Sequence, residues 1–149
     1  MTTHIGIDPG KKGGIAVITS DGITVAHPIP ETERDTQEIF EEISQYRKVF
    51  ALIEDVHAMP GQGVRSCFTF GRNYGMLRGM LVENYIPFET VTPVTWQREF
   101  GLINRTLTKT QNKNSHKARA QELFPHIEKM THAIADALLI AEYARRSTK

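Results

Sequence analysis

Asp8, Glu54 and Asp136 are the residues of this chain best suited to chemistry. Each is an acid set against a stretch that should be buried: Asp8 closes "HIGID", Glu54 follows "VFALI", and Asp136 interrupts "HAIADALLIA". An unpaired carboxylate in or beside a core is costly and must be neutralised, paired or coordinated. No Lys or Arg is written into these segments, so the acids point to a shared divalent-metal site, and hard oxygen donors select Mg²⁺ or Mn²⁺. His132 lies four residues before Asp136, one helical turn away on the same face, and is either a fourth ligand or a capping or surface residue. Asp55 should point away from Glu54 if the strand continues. For Asp8 alone, an Asp-Pro-Gly turn offers a role without chemistry. Zinc spacings of Cys and His are absent, and "GKKGG" does not complete a phosphate-binding GxxxxGK[ST] loop.

The elements that must position these acids are readable from pattern. "HIGID", "GGIAVIT" and "GITVAHPI" are apolar, β-branched runs separated by the turn signals "PGKKG" and "SDG", and predict a three-stranded antiparallel meander. "TERDTQEIFEEISQYRK" has acids in its first turns and Ile39, Phe40 and Ile43 at helical spacing. "VFALIED" reads as a central strand buried on both faces. A second helix runs from about Val64 to Asn84, "IPFETVT" returns as a strand, and "PVTWQREFG" is a short helix after a proline. "NSHKARAQELF" predicts a helix closed by Pro125, and "THAIADALLIAEYARR" a last helix with a long apolar face. The order implies an α/β fold, a mixed five-stranded sheet with three antiparallel strands followed by parallel ones, flanked by helices.

With 149 residues and 40% apolar side chains, the chain suits one domain over residues 1–149 with a true core. No secretion signal or membrane span is expected, which implies a cytoplasmic protein. The single Cys67 is expected to be packed. Net charge is only +1, but residues 21–55 carry nine acids against three Lys/Arg, whereas residues 61–119 carry nine Lys/Arg against three Glu. Arg105, Lys109, Lys113, Lys117 and Arg119 fall in a run with no acid among them, which suits either a phosphate backbone or a solvated loop.

Four segments together resemble the RuvC-type Holliday junction resolvases of the RNase H-like nuclease superfamily: "IGIDPG", "LIED", "GRNYGMLRGML" and "HAIADALLIA". They span almost the whole chain, and its short form with compact loops resembles the phage and prophage branch. The resemblance implies an RNase H-like fold with Asp8, Glu54 and Asp136 as metal-binding carboxylates. A common form of the last motif carries an acid where this chain has Ala133; some relatives use a histidine in this region, and His132 is then the candidate. The resemblance also implies a basic catalytic or phosphate-contacting residue near Asn114, for which Lys113 and Lys117 both qualify. The resemblance further implies that the loop "DVHAMPGQG" places an aromatic residue against bases at the crossover, and His57 stands nearest that position.

The activity so implied is a crossover junction endodeoxyribonuclease, cutting four-way DNA junctions by paired phosphodiester hydrolysis with two Mg²⁺ ions per site, Mn²⁺ also serving. Paired cuts on equivalent strands call for a two-fold homodimer. Gly71, Gly75 and Gly79 recur every four residues in the second predicted helix. Each costs roughly 1 kcal/mol there, which implies close backbone approach either to the sheet or to a second subunit. The alternatives are an RNase H-like nuclease acting on flaps, forks, RNA-DNA hybrids or an rRNA precursor, and a non-catalytic junction-binding module. An ATPase fragment is excluded by length.

Overall fold

A computed structural model describes residues 1–148. Strands β1 (Thr3–Asp8), β2 (Gly14–Ile18) and β3 (Thr24–Pro28) form the antiparallel meander, followed by helix α1 (Glu33–Ser44). Strand β4 (Val49–Glu54), helix α2 (Val64–Glu83), strand β5 (Phe88–Val91) and helices α3 (Pro93–Glu99), α4 (Lys109–Leu123) and α5 (His132–Ser147) complete the chain. The sheet order is β3-β2-β1-β4-β5, with β4 parallel to both β1 and β5. This is the mixed five-stranded sheet that the sequence predicts.

Strand alternation divides the sheet's residues between two cores. Ile5, Ile7, Ile15, Val17, Ala51 and Ile53 join Phe40 and Ile43 of α1 and Leu77 and Leu81 of α2 on one face. Ala16, Ile18, Leu52 and Val91 join Trp96, Ala120 and the apolar face of α5 on the other. Asp8 and Glu54 keep the parity of Gly6 and Leu52, so they belong to the α5 side. The β1–β4 register pairs Ile7 with Ile53, so one further step puts Asp8 beside Glu54 on adjacent strands, about 4.8 Å apart.

Small residues bring α5 against this pair. A Cβ on Gly6 would stand 2.2 Å from both the Ala137 carbonyl oxygen and the Ala141 nitrogen, and one on Gly14 would stand 2.5 Å from the Ala133 carbonyl oxygen. Only glycine lets the α5 backbone lie this close, and Asp136 is thereby carried to the strand ends. Two boundaries differ from the sequence reading. The first helix stops at Ser44, and α4 starts at Lys109, five residues before Asn114, because Thr108 and Gln111 form a reciprocal capping box. Among the described residues no helix is long and apolar enough to cross a membrane.

Candidate active site

The site lies at the carboxyl ends of the parallel strands β1 and β4, where open α/β sheets ordinarily leave their working crevice. Asp8 ends β1 and its Oδ1 accepts from the Gly10 N–H at 3.1 Å, which fixes the carboxylate over the Pro9-Gly10 turn. Glu54 ends β4, and its Oε2 accepts from the Trp96 indole N–H at 2.7 Å. Asp136, on the second turn of α5, accepts through Oδ1 from His116 Nδ1 of α4 at 2.8 Å.

These acids lie in one another's field. Burial, and then the charge of Asp136, push Asp8 up from 3.8 to about 6, against the Gly10 bond and the positive charge of Lys113. Burial, and then Asp8, push Glu54 to about 8, against the Trp96 bond. Among the described residues no three His, Cys, Asp or Glu side chains converge tightly enough to cage an ion as they stand. The donor set nonetheless fits a hard divalent cation: it consists of carboxylates from three elements, two of them held above their ordinary range by burial and like charge, a frustration that a cation relieves.

The sequence candidates fall into groups. Asp8, Glu54 and Asp136 come together. Lys113 is exposed, and its charge reaches Asp8; Lys117, one turn on, is half-buried. His132 is exposed on the first turn of α5, and its Nε2 donates to Asn114 Oδ1 at 2.9 Å rather than to a carboxylate. His57, Arg105 and Lys109 are exposed, whereas Arg119 is tied to Glu122 at 2.8 Å. Cys67 is only half-buried.

Sequence reasoning missed two side chains. His116 looked like one polar residue in a basic run, yet it is 6% exposed and holds Asp136. Trp96 is fully buried, and the need of a buried indole N–H for an acceptor is the signal that could have directed attention to it. A cleft of about 420 Å³ beside the Asp8 turn is lined by Lys11, Lys12 and Arg72, cations outside the run first singled out, together with Glu31 and Glu33.

Strand order, mixed strand directions and flanking helices define a RuvC-like fold of the RNase H-like class. The structure is similar to Thermus thermophilus RuvC in complex with a Holliday junction substrate (TM-score 0.61, 17% identity, 99% of this chain and 98% of that one). It is also similar to a second Thermus thermophilus RuvC structure (0.59, 16%, 98% and 97%) and to the fowlpox virus resolvase in complex with Holliday junction DNA (0.51, 12%, 98% and 99%). No family model matches the chain, and no curated protein matches it in sequence.

Proposed function

We propose that the chain is a divalent-metal-dependent endonuclease that resolves four-way DNA junctions by paired phosphodiester hydrolysis. The observation that carries this reading is that Asp8, Glu54 and Asp136 lie within one another's electrostatic field at the strand ends of a fold shared with resolvases solved on junction DNA. Asp8, Glu54 and Asp136 would hold Mg²⁺, with Mn²⁺ able to replace it. Bound there, the metal would supply an activated water and would neutralise charge on the scissile phosphate.

The remaining roles belong to the chain's own residues. Lys113 offers its ammonium where negative charge builds up on the phosphate. Lys11, Lys12 and Arg72 in the cleft, with Arg105, Lys109 and Lys117, give the DNA backbone positive charge without reading sequence. His57, exposed on the loop after β4, offers a flat ring to an unstacked base.

Two copies would pair through α2. Of the twenty residues of this helix only Leu77 and Leu81 are buried, while Val64 and Phe68 are 87% and 73% exposed. A Cβ on Gly71, Gly75 or Gly79 would meet nothing within 4 Å, so the glycine stripe does not serve packing against the sheet. An open glycine face with apolar neighbours suits a self-complementary two-fold contact. The test is cleavage of a labelled four-way junction in Mg²⁺ beside linear duplex, flap and RNA-DNA hybrid. Selective junction cutting supports the reading, preferential cutting of flap or hybrid replaces the substrate, and binding without cleavage leaves a junction-binding module.

A further inference from the structure

Trp96 and His116 connect the two sides of the carboxylate site. Trp96 comes from α3, which β5 delivers through the Thr92 cap and Pro93. Its indole N–H reaches Glu54 Oε2 at 2.7 Å. The indole also meets the His116 imidazole edge-on, with ring centroids 5.4 Å apart and planes at 73°. His116, from α4, then donates Nδ1–H to Asp136 Oδ1 at 2.8 Å. The path Glu54–Trp96–His116–Asp136 therefore runs through β4, α3, α4 and α5 with both ring residues buried. His116 Nε2 is itself buried with no hydrogen-bond partner among the described residues. The ring is therefore oriented by its bond to Asp136 and its contact with Trp96, not by any partner of Nε2.

We propose that Trp96 and His116 are positioning residues for the carboxylate site, holding Oε2 of Glu54 and Oδ1 of Asp136 so that the other oxygen of each acid stays free for a divalent cation. This rests on the reading of Asp8, Glu54 and Asp136 as metal ligands. Two physical points support it. Each acid accepts from a buried ring N–H, and once ionised beside a cation its bond is stronger than a neutral one, so each acid is confined to one orientation. The two bonds also share one rigid aromatic contact, so loss of either ring loosens both acids. Hydrogen-bond partners of ligating groups typically contribute 10- to 100-fold to metal affinity. That is the scale on which this pair should act.

The experiment is calorimetric titration of the full chain with Mn²⁺ alone, without DNA. Trp96→Phe keeps an aromatic ring but removes the donor; His116→Leu removes the other donor, and His116→Asn places an amide N–H near the position of Nδ1. Trp96→Phe and His116→Leu should each weaken Mn²⁺ binding by about tenfold or more, while His116→Asn recovers most of the loss. Trp96 is the only tryptophan, so its emission provides a second readout. In the wild type it should change with the calorimetric midpoint, and in Glu54→Gln it should not respond. Equal Mn²⁺ affinity in the wild type, Trp96→Phe and His116→Leu would overturn the positioning role. So would failure of His116→Asn to improve on His116→Leu, which would leave only packing. If Trp96→Phe does not fold, the two His116 variants decide the question. A wild type that takes up no Mn²⁺ at millimolar concentration would instead overturn the metal reading, and the positioning role with it.

Discussion

Replacing Asp8 by Asn should stabilise the metal-free protein while abolishing its chemistry. Asp8 is raised from 3.8 to about 6 by burial and by Asp136, so its ionised form is disfavoured in the folded state. A group raised in this way adds no penalty below its unfolded value; stability falls as pH rises from about 4 to about 6 and stays reduced above. At about 1.4 kcal/mol per pH unit of displacement, the cost above pH 6 is about 3 kcal/mol. Asn removes the charge yet keeps an Oδ1 to accept from Gly10, so the turn survives. For a chain of this size, ~3 kcal/mol corresponds to a Tm about 6–12 °C higher. The assay is urea or thermal unfolding of both proteins in a chelator at pH 4 and pH 8. Asp8→Asn should lead clearly at pH 8 and lose that lead at pH 4, and added Mn²⁺ should stabilise the wild type more than the variant. An equal lead at both pH values, or none at pH 8, would refute the electrostatic reasoning.

Glu54, raised to about 8, extends the same trend: metal-free wild type should lose further stability between pH 6 and 8, as read by chelator-treated melts across that range. Lys113→Ala should lower junction cleavage by about 10²–10³-fold, with gel-shift binding of the junction changing far less. Gly6→Ala drives a methyl into the Ala137 and Ala141 backbone and should cost at least about 1–3 kcal/mol in urea unfolding, moving Asp136 away from Asp8. For the proposed pairing of two copies through α2, Phe68→Asp should raise the dissociation constant by about 30-fold or more, seen by light scattering, with the circular dichroism unchanged.

The three acids of the candidate site stand out in the sequence because each breaks an apolar run. Asp8 and Glu54 end strands whose remaining residues are buried, and Asp136 sits in a helix that buries most of its length. Their adjacency follows from the parallel β1–β4 register, which the order of elements implies. His116 was not legible because α4 buries only His116 and Ala120, too few positions for a periodic signal. The helical spacing that singled out His132 is genuine, but spacing within one helix does not say which neighbouring helix a side chain meets. At the first turn of α5 the neighbour is Asn114 of α4, and His132 bonds there. The start of α4 was legible in principle, since the Thr108 and Gln111 spacing is a capping signature that the charge of the surrounding run obscured. The exposed side of α2 was open to two readings because Phe68 and the glycines suit a core and an interface equally; the structure leaves Phe68 exposed and the glycines without a neighbour on the sheet.

The most direct test of junction resolution uses a supercoiled plasmid that extrudes an inverted repeat as a cruciform. Two coordinated cuts across the junction yield linear DNA, whereas independent cuts release supercoiling and leave nicked circles. In Mg²⁺ or Mn²⁺ the wild type should produce linear plasmid cut at the cruciform base, and Asp8→Asn should bind the junction without cutting it. Nicked circles alone, equal cutting of a plasmid lacking the repeat, or undiminished cleavage by Asp8→Asn would contradict the account.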